Sequence, residues 1–116
     1  MVYSGHISEV EMNEVNFEGA KGAYIQWLIT KPEAKNYAMR RFVIKPGGVI
    51  PTHSHDWEHE IYILEGKGVV KVGSKEINVK KDTFLYIEPN IPHSYFNNGV
   101  SDLVFICIIP MKGVKS

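Results

Sequence analysis

A single cysteine, Cys107, stands in this 116-residue chain, which excludes an internal disulfide and any zinc site built on paired thiolates. Charge of either sign is not in excess: 13 Lys and Arg balance 13 Asp and Glu. No basic run exceeds a pair such as Lys80-Lys81, so the footprint of a nucleic-acid binder is missing. Zero net charge also leaves little electrostatic repulsion against self-association. Long apolar runs are missing as well. The longest, Leu103 to Ile109, is far too short to span a bilayer, and the start, Met1-Val-Tyr-Ser-Gly-His6, lacks the apolar core of a signal peptide. A cytoplasmic protein with neither membrane nor nucleic-acid partner is therefore expected. No segment shows helical periodicity for more than a turn or two.

Short strands are what the chain has instead. Its apolar content of 44% and its length suit one domain, residues 1–116, with its own core. Residues 1–22 read as an N-terminal arm in which Val10, Met12, Val15 and Phe17 supply one or two edge strands. Ala23–Thr30 and Ala38–Lys45, rich in aromatic and β-branched residues, read as strands. Pro46-Gly47-Gly48 reads as the turn that ends the second of these, and Val49–Thr52, interrupted by Pro51, as at most a short edge piece. His59–Leu64, Gly68–Val72, Lys75–Val79, Thr83–Ile87, His93–Phe96 and Leu103–Ile109 complete the set, with a two-residue hairpin loop at Gly73-Ser74. About nine short strands at regular spacing indicate a sandwich or barrel. Several are apolar on both faces, for example Ile61-Tyr62-Ile63-Leu64. A barrel buries only one face of each strand, so a homodimer is expected to cover the other.

Five histidines occur in the chain, and three of them, His53, His55 and His59, fall within seven residues. His93 lies in a second loop-to-strand stretch. Neutral imidazole is the commonest protein ligand for transition metals. Alternation in a strand puts His53 and His55 on one side. A bend at Asp56–Trp57 lets His59 return to the same place at the start of the next strand, and His93 arrives from elsewhere. One metal held by these four residues is the expectation.

The pattern resembles the cupin family. Its first motif has the form G-x5-H-x-H-x3,4-E-x6-G, which Gly47, His53, His55 and Gly66 match in place and spacing, with His59 at the glutamate position. Its second motif, G-x5-P-x-G-x2-H-x3-N, is matched by His93 and Asn97. Here Asn90 replaces a glycine and Glu88 a proline, and Asp82 resembles the turn that opens the motif, with Lys81 where a glycine is usual. The core motifs span 47–66 and 82–97. The resemblance implies an all-β, single-domain cupin jelly-roll barrel, of the small type with an all-histidine site found among manganese-binding proteins of thermophiles. It points to manganese first, then iron; the ligand types alone accept zinc, nickel or copper too. Four neutral imidazoles leave the dication's charge uncompensated, which favours an anionic oxygen ligand and raises the reduction potential relative to a site containing glutamate.

A rival reading takes His55-x-x-Glu58-His59 as an inverted zinc-protease signature, which requires a helix there. Pro51 before it and Ile61-Tyr62-Ile63 after it argue against one. Glu58 and Glu60 otherwise read as solvated charges, or as acceptors behind the ligands. Arg40, Trp57, Tyr95 and Cys107 are the pocket candidates, Arg40 with a salt-bridged or snorkelling alternative and Cys107 with a buried inert thiol as its alternative. His6 reads as incidental. The leading functional expectation is a dioxygenase-like oxidoreductase acting on a small organic substrate. A metal-dependent isomerase or lyase on a sugar or keto acid, and a non-catalytic metal- or small-molecule-binding protein, are the alternatives.

Overall fold

The computed structural model describes residues 2–114. Among these, nine strands and two short 3-10 turns occur, and no α-helix. The strands are β1 (Asn13–Glu14), β2 (Lys21–Ile29), β3 (Tyr37–His53), β4 (His59–Glu65), β5 (Lys67–Val72), β6 (Lys75–Lys80), β7 (Phe84–Ile87), β8 (His93–Phe96) and β9 (Leu103–Pro110). They run in the spatial order β6-β5-β8-β3-β9-β4-β7, with β2 and then β1 added alongside β3. The sheet curls so that Ile44, Ile61, Ile63, Val70, Leu103, Phe105 and Ile109 meet inside. This is the expected cupin jelly roll.

The 17-residue β3 organises the fold. Its first half pairs with β9, from Tyr37↔Pro110 to Ile44↔Leu103, and on its other side with β2. Its second half pairs with β8 through Val49↔Phe96 and His53↔His93. Pro46-Gly47-Gly48 therefore does not end the strand, and Val49–Thr52 is not an isolated edge piece. The two glycines bend one continuous strand from one half of the barrel into the other. Gly47 takes φ +80°, and a Cβ at Gly48 would come within 2.8 Å of the Gly22 and Lys45 carbonyl oxygens. Neither position accepts a side chain readily.

Elsewhere the turns fall where expected. Gly73-Ser74 closes a two-residue hairpin, since Val72 pairs with Lys75. Asn90 takes φ +68°, the conformation glycine would supply. The other non-glycine residue with positive φ among the described residues is Asp82 itself, φ +71°, and not Lys81.

The arm differs in part from expectation. One edge strand forms there, β1, but on Asn13–Glu14 and not on Val10, Met12, Val15 or Phe17, and β2 already begins at Lys21. Before β1, Ile7–Glu9 makes a 3-10 turn, capped by His6, whose Nδ1 accepts from the Ser8 amide while its own amide donates to Glu9. His6 thus has a local structural role. Buried Gln26 fastens the arm to the outer side of β2, donating to the Val10 carbonyl at 3.0 Å and accepting from Arg41 at 2.8 Å.

Candidate metal centre

Strand ends deliver the four histidines to one mouth of the barrel. His53 ends β3, His59 begins β4 and His93 begins β8, while His55 stands just beyond β3. Pairing of β3 with β8 sets His53 directly opposite His93, their ring centroids 4.4 Å apart. His55 lies 4.7 Å from His53. His53, His55 and His93 each offer a ring nitrogen within 4.8 Å of the others, close enough to hold one metal ion. His59 stands outside this tightest group, with its ring 4.7 Å from His93 and 5.5 Å from His55. The Asn90 amide donates to the His55 carbonyl at 2.6 Å, tying the loop before β8 to the histidine segment.

Hydrogen bonding selects the ring atoms that face the centre. His53 Nδ1 lies 2.8 Å from the Pro51 carbonyl and His93 Nδ1 2.9 Å from that of Ile91. A carbonyl only accepts, so each Nδ1 carries the proton and each Nε2 presents a lone pair. His93 Nε2 is buried and has no partner among the described residues, nor has His59 Nδ1. Burial is the main force holding the imidazoles neutral. It lowers the pKa of His53 and His93, and with the neighbouring charges takes His55 to about 4 and His59 to about 3. Neutral rings with free, converging nitrogens form a donor set that fits a divalent transition metal.

His53, His55 and His59 line one side of a cavity of about 960 Å³. Arg40 enters it from β3. It is neither salt-bridged nor extended into solvent: its guanidinium lies 4.9 Å from the Phe42 ring centroid and 5.6 Å from that of Trp27, and Nη2 donates to Cys107 Sγ at 2.9 Å. Its Nε is buried without a partner. The positive charge of Arg40 contributes to the lowered pKa of all four histidines.

The remaining candidates divide. Trp57 lines the cavity and stacks on His55 at 4.2 Å with the planes 6° apart. Tyr95 lines it too, fully buried, its hydroxyl pKa driven upward by desolvation. Cys107 points inward but lies beneath Arg40, and burial raises its thiol pKa; it is the buried thiol. Glu58 and Glu60 face away from the histidines, onto an outer groove they share with Tyr37, Met39 and Ile108. No helix forms between His55 and His59, which removes the protease reading.

Phe17, Trp27 and Phe42 are cavity residues that sequence reasoning did not single out. Phe42 shared parity with Arg40, a usable signal. Phe17 had none, because it belongs to the arm and reaches His53 at 4.9 Å only through the fold.

Comparison with known proteins agrees with this geometry. Residues 40–109 match the cupin domain model. An oxalate-binding protein of Thermotoga maritima is 32% identical over 98 residues, 81% of each chain. The polyketide cyclase RemF of Streptomyces resistomycificus superposes with a TM-score of 0.90 at 28% identity, over 96% of this chain and 80% of that one. A predicted oxalate decarboxylase of Thermotoga maritima does so at 0.80 and 30%, over 94% and 99%. Motifs, barrel and histidine cluster converge on one assignment: the chain belongs to the cupin family.

Proposed function

We propose that His53, His55, His59 and His93 together hold one manganese or iron ion, and that the protein is an oxidoreductase acting on a small organic anion. The observation that carries this reading is an all-imidazole cluster beside a largely apolar cavity in which Glu14 is the only acidic lining residue among the described residues. Among those residues no carboxylate stands between the histidines to serve as general base, which disfavours the isomerase reading. A bound redox metal would supply one-electron chemistry and Lewis acidity.

The chain's own residues do the rest. Three imidazoles converge, and a small rotation of His59, whose Nδ1 has no hydrogen bond to hold it, completes a fourth. Neutral ligands and the Arg40 guanidinium leave the site with uncompensated positive charge, which attracts an anionic substrate. Aromatic side chains, Phe17, Trp27, Phe42 and Trp57, form part of the cavity walls. Half-buried Ile106 and Ile108 and exposed Tyr62 on the outer face of β4 and β9 support a homodimer built through that face.

Binding without turnover is the second reading, favoured by the likeness to an oxalate-binding protein. The deciding experiment is elemental analysis of the protein as isolated, followed by oxygen consumption with unsaturated organic acids. Near-stoichiometric manganese or iron with substrate-dependent oxygen uptake supports the oxidoreductase. Metal with no uptake across the series supports the binding protein. No metal at all rejects the oxidoreductase and leaves only metal-free binding of a small molecule.

A further inference from the structure

Resting on the reading of the histidine cluster as an anion-attracting centre, we propose that the cavity takes a flat aromatic or conjugated monocarboxylic acid. Its carboxylate lies toward Arg40 and the histidines, and its unsaturated body lies along the aromatic lining supplied by Phe17, Trp27 and Trp57. Three observations lead there.

Size is the first. About 960 Å³ falls at the upper end of cavities that enclose drug-sized ligands, roughly 300–1,000 Å³. A two-carbon dianion such as oxalate has six heavy atoms and would leave most of that space unfilled.

The second is the character of the walls. Phe17, Trp27, Phe42 and Trp57 line this one cavity, and the chain has only two tryptophans. Flat rings present π faces that pack best on other flat rings. A short aliphatic acid would leave those faces poorly used.

Charge is the third. Arg40 has no acidic partner among the described residues, where the ion pairs are Lys45–Asp102 and Lys112–Asp56. Its contacts are two aromatic faces and a neutral thiol, and its Nε has no acceptor. A partly desolvated guanidinium lacking an acceptor is costly, and a carboxylate satisfies it in the fork geometry that arginine offers. The other charged lining residues besides the histidines, Lys31 and Glu14, are exposed and opposite in sign. Arg40 is thus the partly buried cation beside the metal position, and with the aromatic lining it matches a molecule with one anionic end.

Calorimetric titration of trans-cinnamate and of oxalate into manganese-loaded and metal-free protein tests this. With metal, cinnamate should bind at least tenfold more tightly than oxalate. Trp27→Leu, which keeps an apolar side chain there, should weaken cinnamate at least fivefold while metal content and oxalate affinity hold. Arg40→Gln should weaken both acids at least tenfold. In the metal-free protein the two tryptophan indole N–H resonances should shift with cinnamate and not with oxalate. Tighter binding of oxalate, or cinnamate affinity indifferent to Trp27→Leu, overturns the proposal. If the protein takes up metal but no cinnamate, this proposal fails and the metal centre stands. If it takes up no metal yet binds cinnamate through Trp27 and Arg40, the metal centre fails and this proposal stands.

Discussion

The two ends of the barrel are built from the same strands and treat buried polar groups in opposite ways. Along β8 the inward residues are His93, Tyr95 and then, just past the strand, Asn97; along β4 they are His59, Ile61 and Ile63. At the closed end Asn97 is completely buried, and its side chain is fully employed. Its amide donates to the carbonyls of Ile44 at 2.7 Å and Ser101 at 2.8 Å, and its oxygen accepts from the Gly99 amide at 2.8 Å. Its backbone bonds to Gly47 and Gly48 as well, holding the bend of β3. At the open end lie all the buried side-chain nitrogens without partners among the described residues: Arg40 Nε, His59 Nδ1 and His93 Nε2. Folding leaves polar capacity unmet only where a ligand can meet it, so the orphaned atoms mark the working end.

That contrast can be broken experimentally. Asn97→Ala deletes three hydrogen bonds at the closed end and should cost about 3 kcal/mol in urea unfolding, roughly 10–15 °C in Tm, while the folded fraction still takes up metal. His93→Leu works at the other end. It should weaken metal uptake roughly a hundredfold or more, about 2.7 kcal/mol, yet change metal-free stability by no more than about 1 kcal/mol, because removal of the unpaired, buried Nε2 offsets loss of the Nδ1 bond to the Ile91 carbonyl. If the two variants exchanged phenotypes, the division between ends would be wrong.

Acid provides a gentler probe. The histidines have folded pKa values below the ordinary 6.5, His55 at about 4 and His59 at about 3. The unfolded chain therefore binds more protons than the folded one between these values and 6.5, and metal-free stability falls as pH drops through that window. Above pH 7 both states are neutral and the contribution is flat. Melting curves from pH 4.5 to 7.5 should show this slope, and His59→Leu should reduce it. The smallest effect is expected outside the barrel: Glu58→Gln should leave metal content unchanged and stability within about 0.5 kcal/mol, since Glu58 is exposed and faces away from the histidines.

The histidine cluster was legible in the sequence because its spacing is local, and strand alternation converts local spacing into a shared face. The hairpin at Gly73 and the left-handed Asn90 were legible for the same reason. The bend at Gly47-Gly48 was misread as a terminus. A Pro-Gly-Gly run marks a change of direction, and only pairing on both sides, with β9 before it and β8 after it, shows that the strand continues. Trp27 shares parity with Ile25 and pairs with Arg40, but only that cross-strand pairing, which local spacing does not reveal, shows that this face of β2 looks into the cavity. Arg40 was legible in parity, but the preference for a paired or solvated arginine presumes a nearby acid, and none is there.

The walls of the cavity come from several parts of the chain. His53, His55, His59 and Arg40 belong to β3, β4 and the turn after β3, Trp27 to β2, Tyr95 to β8, and Gly113 and Val114 follow β9, whereas Asn13, Val15 and Phe17 are supplied by the arm ahead of the barrel. The arm contributes no member of the histidine cluster and is held to β2 by β1 pairing and by Gln26. Heritable variation in residues 13–17 can therefore reshape what the cavity admits while the histidine cluster stays as it is. Descendants of such a chain are free to diverge in substrate before they diverge in metal, and a graft of the arm between two such proteins should carry preference with it and leave the centre behind.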